Sequence, residues 1–247
     1  MSETVYLVGI GPGPRENITP EALAALKKAR VVIGHRECID LIKALIKNKE
    51  VIADNLSPIE RSRIAVEKAQ SGQDVAIVSI GDPGTYAIAS TFLAYLKDNQ
   101  INLSVKVIPG LTLASYAAGR LGSPLGHDVA TISLADQAIP WINIKKRLEA
   151  AASADFVVTL YNPTGKLGTR RVKEALSLIR NFRPAGTPVG LLRQAASRDE
   201  ELELTTLDKV SPAAIQSDTL VIIGNSQTFI YTGYMVTPRA YKEGVGY

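Results

Sequence analysis

The chain has 247 residues, 46% hydrophobic and 21% charged, the composition of an ordinary globular protein with apolar residues enough for one large core or two smaller ones. Its 28 Lys and Arg against 24 Asp and Glu leave a mild, dispersed positive charge, which suits a small polyanionic ligand at least as well as nucleic acid. One cysteine and two histidines exclude an internal disulfide and any zinc-like cluster; without a long apolar run or a basic leader, the expectation is a cytoplasmic protein with no protein-held metal.

The first strand-like run, 5–10, leads into "VGIGPGP" (8–14), which raises the question of a phosphate-binding turn. The dinucleotide fingerprint needs a third glycine three places after its second, and Pro14 stands there instead. Pro12 and Pro14 also lack the N–H groups a phosphate cradle would use. The turn therefore brings backbone close to something other than a polyphosphate.

Thr19 and Pro20 then predict an N-cap and first helical residue. A second strand (31–33) is followed by His35, Arg36 and a helical stripe of Cys38, Leu41, Ile42, Leu45 and Ile46, which makes Cys38 a core residue rather than a nucleophile. After a third strand (51–52), Ser57-Pro58-Ile59-Glu60 reads as a capping box. The fourth strand (75–80) runs into "GDPGTY" (81–86), where Pro83 and Gly84 fit the centre of a type II turn. Such a turn needs no acid for its geometry, so Asp82 is expected to face a ligand. Thr85, Ile88, Ala89, Phe92, Leu93 and Leu96 form another core stripe before the fifth strand (105–108) and "PGLTLAS" (109–115).

Strands alternating with helices predict an α/β domain with a mostly parallel sheet over residues 1–118. The glycine-rich stretch 119–127 is read as a linker, and 128–247 as a second α/β domain. Its strand-like runs are 129–135, 154–161, 187–192, 201–207 and 219–225; two follow each other without room for a helix, which predicts a mixed sheet. Ligands of open α/β sheets bind beyond the carboxyl ends of strands, so the informative loops are "GIGPGP", "GDPGTY", "PGLTLAS" and "LYNPTG" (160–165).

Taken together, "VGIGPGP", "SIGDPGTYA", "PGLTLASYAAGRLGSPL" and "TLVIIGNS", in this order and at these distances, resemble the tetrapyrrole (corrin/porphyrin) methylase family along the whole chain. Within it, "GHDVATISLADQAIPW", "ADFVVTLYNPTGK", "TPVGLLRQA" and "YMVTPRAY" are most similar to the branch that methylates C17 of precorrin-3B or cobalt-factor III in cobalamin biosynthesis. The resemblance implies S-adenosylmethionine as methyl donor, held in a cleft between two α/β domains of a homodimer, with cobalt carried, if at all, by the substrate. By motif, the donor's contacts fall on Pro12, Ile80, Gly81, Asp82, Thr85, Thr112, Leu113, Ala114, Tyr161 and Ala195.

The same branch promotes contraction of the macrocycle, which needs proton transfers. His35 stands where relatives carry an acid/base residue before an arginine, and histidine serves either role near neutrality. His127 and Asp128 are further candidates. Relatives commonly show "GY" where this chain has Gly34-His35, and "GDAG" where it has "GDPG". The substrate's rim of carboxylates calls for basic donors, for which Arg36, Arg120, Lys166, Arg170, Arg171 and Arg193 are candidates.

Rival readings are another activity of the family (a different corrin carbon, or sirohaem, diphthine or ribosomal-RNA methylation), a nicotinamide dehydrogenase, and a non-catalytic tetrapyrrole carrier. "ISLADQAIPW" and "MVTPRAY" argue against the sirohaem, diphthine and RNA branches, and an RNA substrate would call for a basic patch interleaved with aromatics, which are only 6% of residues. Pro14, with His35 in place of an acid after the second strand, argues against the dehydrogenase.

Overall fold

The computed structural model describes residues 3–135, 139–163 and 169–239, and contacts divide the chain into two units, Met1–Leu113 and Ala114–Tyr247. In the first unit β1 (Thr4–Gly9), α1 (Pro20–Lys28), β2 (Val31–Gly34), α2 (Arg36–Ile42), β3 (Glu50–Ala53), α3 (Pro58–Gln70), β4 (Val75–Ser79), α4 (Ile88–Asp98) and β5 (Ser104–Ile108) alternate as expected. The sheet runs β3-β2-β4-β1-β5 with every pair parallel.

Both faces of this sheet are buried, which is why its central strands read as unbroken apolar runs. Val5, Leu7, Val31, Ile33, Val75 and Ile77 pack on α3 and α4 through Ala65, Val66 and Phe92. The alternate residues Tyr6, Val8, Val32, Ala76 and Val78 pack on α1 and α2 through Ala22, Leu26, Ile39 and Ile42. The helix starts follow from local chemistry: Thr19 accepts the Ala22 N–H at 3.1 Å, and Ser57 and Glu60 complete a reciprocal capping box.

Both predicted stripes are narrower than their spacing suggests. Cys38, Ile42 and Ile46 are buried, but Leu41 is exposed because α2 ends at Ile42 and tightens into a 3-10 turn, which rotates the face. Leu41 instead lies against Gly13. Likewise α4 begins at Ile88, leaving Thr85 in the preceding turn and Leu93 exposed.

The second unit opens with α5 (Leu113–Leu121), whose first residue is the last of the first unit, and β6 (Gly122–Ser123). Then come β7 (Val129–Ser133), α6 (Trp141–Ser153), β8 (Val157–Tyr161), α7 (Thr169–Arg180), β9 (Pro188–Arg193), β10 (Glu201–Thr206), β11 (Leu220–Ile223), β12 (Phe229–Tyr231) and β13 (Tyr234–Val236). The main sheet, β10-β9-β11-β8-β7, is mixed: β7 and β8 are parallel, while β11 runs antiparallel to both its neighbours and β10 to β9. A core of Ile144, Leu148, Val172 and Leu176 from α6 and α7 covers one face. On the other face, Leu121 of α5 lies over Gly190, where any Cβ would collide with it.

The contact division therefore falls ahead of 119–127, the stretch read as a linker: 119–121 finish α5, and β6 pairs with β13 in a small sheet β12-β13-β6. Among the described residues no helix is long and apolar enough to cross a membrane, and no three His, Cys, Asp or Glu are grouped to hold a metal.

Candidate active site

The neighbouring strands β4, β1 and β5 end side by side, and the loops that leave them meet glycine on glycine. A Cβ on Gly9 would lie 2.6 Å from the Gly110 nitrogen and 2.7 Å from the Gly81 carbonyl, and one on Gly110 would press closer still on Gly81. Gly11 and Gly81 exchange backbone hydrogen bonds of 3.1 and 2.7 Å, with Gly11 at φ +62°. Gly9 and Gly11 thus answer to other backbone of the same unit. With the Gly11 N–H engaged and two prolines beside it, the turn has no fan of donors for phosphate.

Asp82 stands in this cluster, half-buried. Its Oδ1 accepts the Gly84 N–H at 2.8 Å and the Thr85 hydroxyl at 3.4 Å, and its Oδ2 accepts the Gly110 N–H at 3.1 Å. Gly84 does not adopt the positive φ that a type II turn requires. The expected turn type is therefore corrected: an Asx-type bond from Asp82 shapes this loop, and the acid does serve its geometry. A carboxylate has about four acceptor positions, so Asp82 keeps room for a further donor. Pro12 is buried, and Ile80, Thr85, Thr112 and Leu113 are half-buried; Gly81 lies within 3.7 Å of the Leu113 nitrogen, measured from an ideal Cβ.

In the second unit β7, β8 and β9 end on one edge, as their pairings through β11 require. There the Tyr161 hydroxyl, on a side chain only 7% exposed, accepts the Ala114 N–H at 2.9 Å, bringing two of the anticipated donor contacts together. Asn162, Gln194 and Ala196 leave the same strand ends at φ 49°, 47° and 60°. Such strain persists only where surrounding structure enforces it, and it concentrates at functional sites. At Ala196 the enforcing group is Glu200, whose carboxylate accepts from the Ala196 N–H at 2.6 Å, the Tyr116 hydroxyl at 2.7 Å and Arg120 Nε at 2.7 Å. Ala195 sits between the two strained residues. Glu200, Tyr116 and Gln194 escaped the sequence reading because their partners lie far along the chain; Asn162 carried the weak signal of an Asn-Pro step.

The profile of the family Tetrapyrrole (Corrin/Porphyrin) Methylases matches residues 4–211. The chain belongs to this family. It is 39% identical to the "Probable cobalt-factor III C(17)-methyltransferase" of Salmonella typhimurium over 95% of this chain and 98% of that one. It is 34% identical to the "Precorrin-3B C(17)-methyltransferase" of a Sinorhizobium species over 98% of both. Of the "Cobalt-factor III methyltransferase" of Priestia megaterium, 37% identical, it spans 46%. Among solved structures, the methyltransferase CobJ superposes with a TM-score of 0.90 at 30% identity, over 96% of this chain and all of that one. A uroporphyrin-III C-methyl transferase from Thermus thermophilus, solved with S-adenyl homocysteine, shares the fold at a TM-score of 0.68 and 24% identity, over 90% of this chain and 97% of that one.

For a tetrapyrrole methylase the placement of the remaining candidates is uneven. His35 is the N-cap of α2, directly beyond β2, with Nδ1 3.9 Å from Glu37 and its side chain 41% exposed. His127 and Asp128 stand before β7, at the edge opposite Ser133 and Tyr161, a strand length of roughly 16 Å away. His127 Nδ1 accepts the Asp128 N–H at 2.8 Å, and both residues line a small polar hollow with Arg239. The structure does not bring this pair together with Tyr161.

Arg36 is exposed in the first turn of α2. Arg170 and Arg171 both pair with Glu174, and Arg171 also stacks over Trp141 at 4.4 Å. Arg193 pairs with Glu201, and Arg120 with Glu200 as above. Lys166 lies outside the described residues. Cys38 is buried, and burial pushes its thiol up against opposing effects of the Ile80 backbone and Arg61, as suits a core residue.

Proposed function

We propose that this methylase transfers a methyl group from S-adenosylmethionine to C17 of a corrin precursor, precorrin-3B or cobalt-factor III, in cobalamin biosynthesis, and that it promotes contraction of the ring. The observation that carries the substrate is the 39% identity, over nearly the full length of both chains, with an enzyme named for that carbon. The donor reading is supported by the β4 and β1 loops, which offer a carboxylate and two prolines where a nucleotide would need N–H groups. That set fits a cationic sulfonium and ammonium compound and not a polyphosphate.

Bound S-adenosylmethionine would supply a methyl group on sulfur, which passes to the nucleophilic ring carbon by in-line displacement while the sulfur keeps the bonding pair. The protein's part is alignment, a contribution of roughly 7–11 kcal/mol for well-oriented reactants. The Asp82 loop and its backbone neighbours hold the donor's polar groups on the first unit's carboxyl edge. Tyr161, Ala114 and Ala195 are the second unit's candidates for donor contacts. His35, at the carboxyl end of β2, moves the protons that ring contraction requires. The homodimer and the cytoplasmic setting belong to the same proposal.

Calorimetry with S-adenosylhomocysteine and with NAD tests the donor: tight binding of the first and none of the second is expected. Mass and absorbance spectra of the product from precorrin-3B and from cobalt-factor III test the substrate. A protein that binds tetrapyrrole and leaves S-adenosylmethionine unconsumed would be a carrier, and the proposal would fail.

A further inference from the structure

Arginines that serve the fold here bind carbonyl or carboxylate groups, even where one nitrogen, the Nε of Arg183, stays unpartnered. Arg183, 7% exposed, gives Nη1 to the Ala152 carbonyl at 2.6 Å and Nη2 to the Phe156 carbonyl at 3.0 Å, and pairs with Asp155 at 2.8 Å. Arg180 turns both Nε and Nη2 on the Leu207 carbonyl. Arg61 does neither. It is half-buried, its Nε is shut off from solvent, and that nitrogen has no hydrogen-bond partner. Among the described residues its side chain makes no hydrogen bond or ion pair.

The position of this unpartnered cation is informative. Arg61 lies in the first turn of α3, beyond the carboxyl end of β3, and is close enough to Cys38, in the first turn of α2, for each to act on the other's charge. The backbone of Ile80, the residue before Gly81 and Asp82, also acts to lower the Cys38 thiol, against the larger effect of burial. Since β3, β2 and β4 are consecutive in the sheet, Arg61 belongs to the same carboxyl edge as the Asp82 loop. Among the described residues no acid answers it: Glu60, beside it, is turned to the Ser57 N–H at 2.8 Å, and burial pushes the Cys38 thiol up.

We propose that Arg61 is a substrate-binding residue that takes a carboxylate of the macrocycle's acetate or propionate side chains, with its two Nη groups as a two-pronged donor. This rests on the reading of the chain as a methylase of a polycarboxylate corrin precursor. A carboxylate accepts two parallel N–H bonds from a guanidinium fork, and the half-desolvated site strengthens both. The guanidinium gives up no internal acceptor when the substrate binds, which makes affinity selective for ligands with an acid at that point of the rim.

The test compares the full-length protein with Arg61→Met and Arg61→Lys. Cobalt-factor III binding is followed by absorbance, S-adenosylhomocysteine binding by calorimetry, and folding by thermal melts. Arg61→Met is expected to raise the Kd for cobalt-factor III by roughly tenfold or more, the loss of a charge-assisted bond pair. Its Kd for S-adenosylhomocysteine should not change, and its Tm should equal or exceed that of the wild type, because an unpaired desolvated charge has been removed. Arg61→Lys, which keeps the charge without the fork, should fall between, and it keeps the test readable if the Met variant fails to fold. Unchanged affinity for cobalt-factor III in both variants overturns the assignment of Arg61 alone. A drop in Tm with parallel loss of both ligands makes Arg61 structural and also overturns it. Failure of the wild type to bind either cobalt-factor III or precorrin-3B while it binds S-adenosylhomocysteine overturns the substrate reading, and the Arg61 assignment with it.

Discussion

The Tyr116 hydroxyl donates to the Glu200 carboxylate at 2.7 Å across 84 residues of sequence, tying α5 to the strained turn between β9 and β10. Glu200 is 11% exposed; burial alone would favour its neutral form, but the Ala196 N–H, Tyr116 and Arg120 outweigh that and hold its carboxyl below the usual glutamate value of 4.5. A depressed native value means that ionised Glu200 stabilises the fold above pH 4.5, and that this contribution is lost as pH falls through the native value. Glu200→Gln should therefore cost about 1–3 kcal/mol at neutral pH, measured by urea unfolding, and flatten the acid limb of the stability curve below pH 4.5. An acid limb as steep as that of the wild type would show that Glu200 does not govern it.

Asp82 joins the loops beyond β4 and β5. In Asp82→Ala the Gly84 and Gly110 N–H groups lose their acceptor, and in Asp82→Asn a side-chain amide donor replaces one of the two acceptor oxygens. Both variants should weaken S-adenosylhomocysteine binding in calorimetry and lower stability by about 1–3 kcal/mol. Weakened binding with an unchanged melting temperature would mean that Asp82 acts on the donor alone and does not shape its loop.

The three crowded glycines give a sharp contrast with a fourth. Gly110→Ala would drive a methyl group into the backbone of Gly81 and Gly9, and is expected to leave little folded protein by thermal melts. Gly119, exposed in α5, has nothing within 4 Å of its would-be Cβ. Gly119→Ala should stabilise by about 0.5–1 kcal/mol through helix propensity. Equal effects at the two positions would contradict the packing described.

Arg170 and Arg171 adjoin in sequence and differ in role. Arg171 is 15% exposed, stacked on Trp141 and paired with Glu174, so Arg171→Ala should lower stability by about 1–2 kcal/mol. Arg170 is 71% exposed and holds Glu174 through Nε alone at 3.0 Å, leaving donors for a ligand. Arg170→Ala should shift stability by no more than about 0.5 kcal/mol while raising the Kd for cobalt-factor III in an absorbance titration. Unchanged binding would return Arg170 to the surface.

His35→Ala should slow ring contraction more than methylation in single-turnover experiments, where product masses separate the two. Wild-type rates for both would remove His35 from the mechanism.

The sequence by itself determined the strands and their alternation with helices, because a parallel sheet buried on both faces demands unbroken apolar runs that local reading detects. It determined the caps at Thr19 and Ser57, whose chemistry spans three residues, and the family, through motifs in a fixed order. What it could not supply were relationships between distant residues. Only the tertiary structure decided that Gly9 and Gly110 are glycines because each other's backbone and the Gly81 carbonyl leave no room for a Cβ, that Asp82 is bonded into its own turn, and that α5 runs into the stretch read as a linker as far as Leu121, which seats on Gly190. Only the folded chain, too, set His127 and Asp128 at the edge away from Tyr161 and left Arg61 without an acid. Each of these depends on which strand ends lie side by side, and that is fixed by sheet order, a long-range property on which no local window of sequence reports.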